Sequence, residues 1–367
     1  MSLMPACTDC DTSRPYLLGV RAILLGLVLL FALPASPSHG QVRDNSILKP
    51  IYFSTFRELY RGKYDSAYRG FRRALKSGIR TIETRWIDSI CYYTMLGEVY
   101  YRQGDLEEAE KHYDSALRLY VKYSDWMLRM QFPDTIPEKR SGGPEPPWGK
   151  TKRKNFLLSR FPKTFNMSRG GQRIVSANGK AGIANIQQLH ALHADELVRC
   201  TCLAIRRYNE LLGPSAKYDQ LARDVLSAVT ARKGPPNHWS EAWLDLQAGV
   251  AFSMAGKKEE AVEKLQRSLL ISGELDHPLT CVGMLELGRL ALQEANYDVA
   301  NNWFNEAALS AFYYNRFEVI QEAFRLMQLG HIVTGKKESP PGLAKAAEWA
   351  NRKGMKEMYL SMLVMAA

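Results

Sequence analysis

Four stretches of the chain repeat the same spacing of small and large residues, and this pattern constrains the fold more than any other feature. In residues 90–121, Gly97 is followed after 12, 16 and 19 residues by Ala109, Tyr113 and Ala116. The same offsets recur from three further starts, at Thr55, Gly249 and Gly288. Small residues at these offsets allow two amphipathic helices to approach closely, while the large residue fills the gap between them. The turn is expected seven residues after each start, at Gly62, Gly104, Gly256 and Ala295, where glycine can end a helix in a left-handed conformation.

This spacing resembles the tetratricopeptide repeat, a helix-turn-helix unit that stacks into a solenoid. The resemblance covers about residues 48–125 and 239–314. The starts lie 42 residues apart from Thr55 to Gly97 and 39 apart from Gly249 to Gly288, which is longer than the family's period of 34. The proline that often closes the repeat is replaced by Val121, Gly273 and Phe312. The resemblance implies an all-α fold, a right-handed superhelical array of such hairpins.

The N-terminus has the features of a secretory signal peptide. Arg14 and Arg21 precede an apolar run from Ala22 to Leu33, and small residues follow up to Gly40. The run has 12 residues, whereas a membrane-spanning helix needs about 20. We therefore expect residues 1–40 to be removed near Gly40-Gln41, no stable transmembrane anchor, and a mature chain that is secreted or periplasmic, in the cell envelope.

The pattern of apolar residues, prolines and glycines divides the mature chain into five parts. N-terminal repeats over 41–130 and further repeats over 239–314 flank an insertion at 131–182, which is rich in proline and glycine and therefore unsuited to a long helix. A divergent helical hairpin is expected over 183–238, with helices at 183–212 and 215–231. The C-terminal helices of 315–367 end in the apolar sequence MYLSMLVMAA. That last helix either packs back on the array, forms an interface, or is followed by more chain.

Four cysteines remain after removal of the signal: Cys91, Cys200, Cys202 and Cys281. Cys200 and Cys202 are two apart on a predicted helix, so their side chains point to opposite sides and cannot pair with each other. We expect buried thiols rather than a framework of disulfides.

The positive charge is concentrated in the insertion. The whole chain carries a formal charge of +11, and residues 133–182 contribute eleven Lys or Arg against three acidic residues, which gives +8. Aromatic residues (Trp148, Phe156, Phe161 and Phe165) alternate with the basic ones. Such a segment either binds an anionic polysaccharide, a lipid surface or an acidic protein, or is a solvated loop that its aromatics fasten to the solenoid. We do not expect nucleic acid as a partner, because the protein is predicted to be exported. The candidate anion-binding residues are Lys150, Lys152, Arg153, Lys154, Arg160, Lys163 and Arg169.

Three short motifs resemble known catalytic or ligand-binding motifs, but each lacks a feature that the corresponding site requires. Gly143 to Thr151 has five residues between its glycines where a phosphate-binding loop needs four, and its prolines remove amide donors. Glu338-Ser339 resembles the catalytic pair of lytic transglycosylases but is followed by two prolines. His190, His193, Glu196 and Cys200 recur at helical spacing, although metal sites usually draw ligands from several elements. We predict no catalytic residue, no metal site and no cofactor.

The family resemblance makes the inner, concave surface of the array the expected ligand groove. Carried onto this chain, the groove is lined by the residues of the first helix of each hairpin that face the inside of the array. Neighbouring helices could instead cover some of these residues. They are Tyr52, Phe56, Tyr60, Thr94, Glu98, Tyr101, Arg102, Trp243, Leu246, Val250, Met254, Leu285, Arg289 and Gln293. Such a groove suits an extended peptide or an amphipathic helix. The sequence therefore favours an exported, non-catalytic scaffold for protein–protein interaction. The alternatives are a binder of an anionic envelope polymer and the helical part of a larger enzyme.

Overall fold

The computed structural model describes residues 47–81, 84–139, 143–154, 156–168, 172–175, 181–184, 189–231 and 237–366. The predicted signal peptide and Arg169 lie outside these ranges. The described chain forms thirteen α-helices: α1 (Pro50–Tyr60), α2 (Tyr64–Lys76), α3 (Ser89–Gln103), α4 (Leu106–Lys122), α5 (Ala194–Leu212), α6 (Gln220–Thr230), α7 (Glu241–Met254), α8 (Lys258–Arg267), α9 (Thr280–Gln293), α10 (Tyr297–Tyr313), α11 (Phe317–Val333), α12 (Leu343–Arg352) and α13 (Lys356–Ala366). The predicted helical repeat architecture is confirmed.

The small-residue seams lie where the spacing places them. A Cβ atom added to Gly97 of α3 would lie 2.7 Å from the ring of Tyr113 in α4, and one added to Gly288 of α9 would lie 2.5 Å from the ring of Phe304 in α10. Both distances are shorter than a carbon–carbon contact allows, so only glycine fits against the partner ring. The small residues at the other two offsets, such as Ala109 and Ala116, are fully buried. Each seam therefore joins the two helices of one hairpin.

The turns adopt the left-handed backbone that their position requires. The φ angles are +75° at Gly62, +83° at Gly104, +72° at Gly256 and +57° at Ala295. Alanine at the fourth turn is strained, because its Cβ crowds the following carbonyl group in this conformation. The four hairpins thus share one turn geometry, with glycine at three of the positions.

Most helices that are adjacent along the chain pack against each other, and α5 also contacts helices that are not its neighbours in sequence. It packs against α3, α4 and α7, so it fills space between the N-terminal and the later hairpins. At the other end of the chain, α13 packs against α11, α12 and also α1. Tyr60 at the end of α1 donates a hydrogen bond to Glu318 of α11 at 3.0 Å. The array therefore curves until its first and last helices meet.

The insertion and the residues on either side of it form short strands in place of helix: β1 (Met130–Gln131), β2 (Leu157–Leu158), β3 (Phe165–Ser168), β4 (Gln172–Val175), β5 (Ala181–Ala184) and β6 (Leu189–Leu192), while β7 (Leu275–Asp276) lies between α8 and α9. β3 pairs antiparallel with both β1 and β6, β2 pairs parallel with β7, and β4 pairs antiparallel with β5. The helix expected from Ile183 therefore begins only at Ala194. Ile183 and Ala184 pair with β4 instead, and residues 189–192 pair with β3, because tertiary strand pairing outweighs the local helical spacing.

The terminal apolar helix packs back on the array while exposing part of its apolar surface. Met358 and Met362 of α13 are fully buried, whereas Leu360, Leu363 and Val364 are exposed. In the part of the chain that the structure describes, no helix combines the length and the apolar character needed to cross a membrane.

Candidate functional site

The inner surface of the array is occupied largely by the chain's own helix α5. Among the residues expected to line an open groove, those now buried are Tyr52, Tyr60, Thr94, Glu98, Trp243, Leu246, Val250, Met254 and Leu285. Phe56, Tyr101, Arg102 and Arg289 are half-buried and Gln293 is exposed. The alternative in which neighbouring helices cover much of the groove therefore describes this structure, and an extended ligand has no continuous open groove along these buried residues.

Trp243 illustrates why the aromatic end of the expected groove is inaccessible. Its ring stacks on Phe161 of the insertion at a centroid distance of 5.3 Å. Its indole Nε1 donates to Nδ1 of His277 at 3.0 Å, and the other ring nitrogen of His277 is 2.7 Å from the carbonyl oxygen of Ser268. Trp243 is thus a core residue with a satisfied N–H group.

The same covering helix brings charged side chains together inside the array. We call this set the inner charge cluster; it consists of Glu98, Arg102, Glu196, Arg199, Arg206, Arg207, Glu210, Glu286, Arg289, Arg316, Glu318, Glu322, Arg325 and Glu357. Every cation in it is arginine, whose planar guanidinium group can form several hydrogen bonds at once. The cluster links α3, α5, α9, α11 and α13.

Glu98 is the best-satisfied acid of the cluster. Its Oε1 accepts hydrogen bonds from Arg207 Nε and from the hydroxyl group of Tyr113, both at 2.7 Å. Burial by itself disfavours the charged carboxylate, but Arg207, Arg102 and these hydrogen bonds outweigh it and lower the pKa of Glu98 to about 2. Glu98 is therefore ionised at neutral pH although it is buried.

Glu196 has the same role at the other end of the cluster. It accepts a hydrogen bond from the Tyr52 hydroxyl group at 2.5 Å, and Arg199 Nη2 donates to its Oε1 at 2.6 Å. Arg316 of the segment before α11 donates to its Oε2 at 3.2 Å. Burial opposes ionisation here too, yet the two arginines and the Tyr52 hydroxyl lower the pKa of Glu196 to about 2. Both acids hold distant helices together by ion pairs.

A cavity of about 260 Å³ opens beside this cluster, and we call it the inner cavity. Helices α3, α5, α11 and α13 contribute all but one of its lining residues: Tyr64, Glu98, Tyr101, Arg102, Arg206, Arg207, Glu318, Gln321, Glu322, Arg325 and Glu357. Three residues of the predicted groove, Glu98, Tyr101 and Arg102, are thus brought together here. The guanidinium group of Arg207 lies over the Tyr101 ring, 4.2 Å from its centroid.

A second cavity of about 390 Å³ is lined by three more residues of the predicted groove, Met254, Arg289 and Gln293. Arg289 forms an ion pair with Glu210, which also accepts a hydrogen bond from Arg207 at 2.7 Å. Glu210 therefore connects a lining residue of this cavity with a lining residue of the inner cavity.

The insertion is fastened to the array by most of the aromatic residues that alternate with its basic ones. The buried Trp148 packs edge-on against Phe312, Phe324 and Trp349. Phe161 contacts Trp239 and Trp243. These rings face the protein rather than a ligand, as in the alternative of a loop pinned to the solenoid.

Among the basic residues of the insertion, one forms ion pairs with acids of the array and several others are exposed to solvent. Arg153 donates to both carboxylate oxygens of the buried Asp276, at 2.6 and 3.0 Å, and to Glu306 at 3.0 Å. Arg153 is therefore held by two acids of the array, with one hydrogen bond from each of its three nitrogens. Lys150, Lys152, Lys154, Arg160 and Lys163 are exposed, and Lys150 is 3.0 Å from Glu145.

The helical face of potential metal ligands does not form. His190 lies in β6 and His193 precedes α5, so they do not share a helix with Glu196 and Cys200. Among the described residues, no group of three or more His, Cys, Asp or Glu side chains is placed to hold a metal ion. The four cysteines in the part of the chain that the structure describes are buried free thiols, as expected.

Sequence reasoning missed most of the arginines that define the inner cavity. Arg206 and Arg207 lie in α5 and Arg325 in α11, outside the four repeats that the spacing identified. One signal was available: Arg206 and Arg207 follow directly on the apolar residues 203–205 of α5, and arginine is almost never buried unless it is paired. That signal can be recognised only when the helix is known to be covered on several sides.

Comparison with known proteins agrees with the repeat geometry. Residues 58–121 match the family model described as Tetratricopeptide repeat. No curated protein was found to match the chain. One similar solved structure is described as a Rap protein complexed with competence and sporulation factor; it is 14% identical, the match covers 86% of this chain and 71% of that one, and the TM-score is 0.38. Another is the apo form of RapI, at 13% identity, with 86% and 96% coverage and a TM-score of 0.34.

The family model spans α2, α3 and α4, with the end of α1, and so includes the Gly97–Tyr113 seam and the turn at Gly104. The same seam and turn recur in α7–α8 and α9–α10, outside the matched residues. Residues 58–121 match the tetratricopeptide repeat, and the described chain is a helical repeat fold in which the seam and turn of that unit recur.

Proposed function

We propose that the protein is a non-catalytic scaffold that binds another protein or a peptide at the mouth of the inner cavity. The tetratricopeptide repeat supports an interaction role in general, and one observation supports this position: Tyr101, Arg102 and Arg325 come together from α3 and α11 in the lining of one cavity. Tyrosine and arginine are the residues that most often dominate binding energy at protein interfaces.

The charges of the cavity favour a partner that forms ion pairs over one that binds by apolar contact alone. Four arginines face four glutamates in its lining, so the local charges balance. Arg325 is the most accessible of these arginines, with 47% of its side chain exposed, and it pairs with Glu322 at 2.7 Å. A partner carboxylate can therefore share Arg325 without disrupting the buried pairs.

The test is capture of partners from an envelope fraction of the source cells by the mature chain and by an Arg325→Glu variant. We expect the variant to recover the specific partner at least fivefold less well while its helicity is unchanged and it remains folded at the temperature of the capture. Arg118→Glu is the matched control, because Arg118 is an exposed arginine of α4 that also pairs with one nearby acid, Asp114. Equal recovery by wild type and the Arg325 variant would refute binding at this cavity.

We also propose that the mature protein acts outside the cytoplasm. The arginines before the apolar run of residues 22–33, and the small residues after it, support this location. Expression of the full chain in its source cells, followed by fractionation and N-terminal sequencing, tests it. We expect a mature N-terminus near Gln41 in the envelope or medium; an intact N-terminus in the cytoplasm would contradict export.

Binding of an anionic envelope polymer is a second candidate function, and the exposed lysines of the insertion favour it. Lys152, Lys154 and Lys163 all face solvent while the neighbouring aromatics fasten their segment. Changing these three to glutamate should abolish retention on an anionic polysaccharide matrix at low salt. The control changes Lys337, Lys345 and Lys356, three exposed lysines of the C-terminal part, and should lower retention far less. Equal losses of retention in the two triple variants would mean that net charge alone determines binding, which would contradict a binding site in the insertion.

A further inference from the structure

Six aliphatic side chains at the C-terminal end of the array are exposed to solvent, and they follow one spacing on two helices. Offsets of three and four residues place each set of three on one face of its helix. Their exposed fractions run from 42% to 78%. We call them the terminal apolar patch; they are Leu329, Ile332 and Val333 of α11, with Leu360, Leu363 and Val364 of α13.

The helices α11 and α13 run side by side in the same direction. Near the start of both, Gln321 Nε2 donates to Glu357 Oε1 at 3.1 Å and to Ser361 Oγ at 3.0 Å. Beyond the end of α11, the hydroxyl group of Ser339 donates at 3.4 Å to the carbonyl oxygen of Ala366, at the end of α13. The two helices therefore contact each other along the length of α13.

The terminal apolar patch lies beside this line of contact. Ile332 is about three helical turns beyond Gln321, and Val364 is about two turns beyond Glu357, so both side chains border the line where the helices meet. The opposite side of α13 is buried, for example at Met362. The six exposed side chains thus form one surface across both helices. Single exposed apolar residues are normal on proteins, whereas a contiguous patch marks an interaction surface.

Lysines flank the patch at both ends. Lys356 lies one turn before the first patch residue of α13, and Lys336 and Lys337 follow the end of α11. All three are exposed. Lys336 is 3.9 Å from Asp298, which is too far for a hydrogen bond. Residues 334–366 carry six Lys or Arg against three acidic residues, which gives +3. The surroundings of the patch therefore attract an anionic surface.

We propose that the terminal apolar patch docks the protein on the surface of an anionic lipid bilayer. Helices that lie in a bilayer interface have the same composition, with aliphatic side chains that enter the acyl boundary and cations that meet the headgroups. Lys336, Lys337 and Lys356 are the cations in this case. None of the six patch residues lines the inner cavity, so this docking goes beyond the proposed binding of a partner there.

The charges disfavour a second copy of the chain as the occupant of the patch. Because lysines flank it at both ends, twofold pairing in either helix direction brings lysines of one copy towards those of the other, and like charges oppose association. The residue types also differ from those of a protein interface, since Tyr, Trp and Arg usually dominate there and Leu and Val are under-represented. A bilayer with anionic headgroups matches both the charge and the aliphatic side chains.

Flotation of the purified mature chain with lipid vesicles tests this docking. The vesicles consist of phosphatidylcholine alone or with about 30% phosphatidylglycerol, which is anionic. We expect flotation with the anionic vesicles, and a partition coefficient at least tenfold lower for the triple variant Ile332→Gln, Leu360→Gln and Val364→Gln. The matched control changes three comparably exposed leucines elsewhere to glutamine and should stay within twofold of wild type; they are Leu106, Leu128 and Leu189.

A second triple variant measures the contribution of charge. Lys336→Gln, Lys337→Gln and Lys356→Gln together should lower partitioning into anionic vesicles at least threefold, and high salt should have the same effect on wild type. Equal partition coefficients for wild type and the apolar variant would overturn the proposal, because lysines elsewhere would then account for the binding. Absence of flotation with wild type would overturn it as well.

A fluorescent probe locates the contact in protein that differs from wild type at one exposed position. The cysteines of the described chain are buried, so an environment-sensitive maleimide reacts with a thiol introduced by Leu363→Cys. We expect its emission to rise at least twofold on anionic vesicles and to be quenched by brominated acyl chains. The same probe at Leu128→Cys should show neither effect. An unchanged Leu363→Cys probe on bound protein would mean that another surface docks, which would overturn the proposal.

Two measurements on the same apolar variant identify a different occupant. Sedimentation velocity would assign the patch to a second copy if wild type forms a dimer that the variant loses and neither floats. Capture from the envelope fraction would assign it to a protein if the variant loses the partner and wild type does not float. Either result overturns lipid docking. Patch-dependent flotation with unchanged partner capture supports docking, whatever the Arg325→Glu variant shows about the inner cavity.

Discussion

Arg207 of α5 donates from Nε to Oε1 of Glu98 in α3 at 2.7 Å, with both side chains less than a tenth exposed. Glu98 belongs to the matched repeat region and Arg207 does not, since α5 follows the insertion. The ion pair therefore closes the inner face of the second hairpin with a helix that lies more than 100 residues further along the chain. It also explains why an acid at this position can remain charged while buried.

We expect Arg207→Met to destabilise the protein by about 3–5 kcal/mol, because it leaves the Glu98 carboxylate buried without its main partner. The double variant Arg207→Met with Glu98→Met should recover at least half of that loss, since neither charge then remains. Urea unfolding followed by circular dichroism measures both values. Arg118→Met, at an arginine that is 67% exposed, should change the free energy of unfolding by less than about 0.5 kcal/mol. A double variant no more stable than the single one would contradict the ion-pair account.

Arg153→Ala should loosen the insertion, because it removes the partner of the buried Asp276 and of Glu306. We expect a loss of about 3 kcal/mol in the free energy of unfolding. Limited proteolysis should also cut within residues 143–168 earlier than in wild type. The adjacent Lys152 is exposed, so Lys152→Ala is the matched control and should leave the cleavage rate unchanged. Equal cleavage of both variants would show that Arg153 does not fasten the segment.

Ala295→Gly should stabilise the protein by about 0.5–1 kcal/mol. Ala295 has a φ of +57° in the turn between α9 and α10, where the other three hairpin turns have glycine. Relief of the strain outweighs the greater freedom that glycine has in the unfolded chain. Gly104→Ala, at the equivalent turn with φ of +83°, should be destabilising by a similar amount. The midpoints of chemical denaturation measure both changes in stability, provided that the denaturant dependence (the m value) is the same for each variant. Stability changes of the same sign in the two variants would contradict the account of backbone strain at Ala295.

Stability should fall on acidification from about pH 6.5 to 4 because of His277. Burial lowers the pKa of His277 to about 4, although its hydrogen bond to the Ser268 carbonyl acts in the opposite direction. The unfolded chain then binds a proton that the folded chain does not, so folding loses up to about 3 kcal/mol over this window. His277→Gln should be less stable at pH 7 but should show a flatter dependence between pH 6.5 and 4.5.

The two acids whose pKa values are lowered to about 2, Glu98 and Glu196, add a second acidic window. Their contribution is complete above their ordinary pKa near 4.5 and is lost as the pH falls towards 2. Urea titrations at half-unit steps of pH separate the two windows. A His277→Gln variant with an unchanged slope above pH 4.5 would assign the upper window to other groups.

The hairpins could be predicted because their determinants are local. Gly97 and Tyr113 are 16 residues apart, and the contact between them follows from two helices and one turn. The left-handed turn at Gly104 is equally local, and both features repeat along the chain. The beginning of α5 could not be predicted in the same way. Residues 189–192 pair with β3, and this pairing depends on how the insertion folds.

The candidate site was only partly predictable for the same reason. The resemblance placed Glu98, Tyr101 and Arg102 on the inner face of their helix, and all three line the inner cavity. It also placed Trp243 on that face, where Phe161 of the insertion covers it. Whether an inner-face residue meets solvent or protein depends on segments far away in sequence, and the repeat pattern contains no information about them.

The sequence by itself determined the repeat unit, its seams and its turns, since spacing and residue size fix how two neighbouring helices approach each other. Only the tertiary structure decided that α5 fills the concave face and that α13 meets α1. It also decided that arginines from separate helices converge on one cavity. These contacts join residues 100 or more positions apart, such as Arg207 with Glu98 and Arg102 with Glu357. Their geometry depends on the curvature that accumulates along the whole array. Small changes in the packing angle between successive helices alter that curvature.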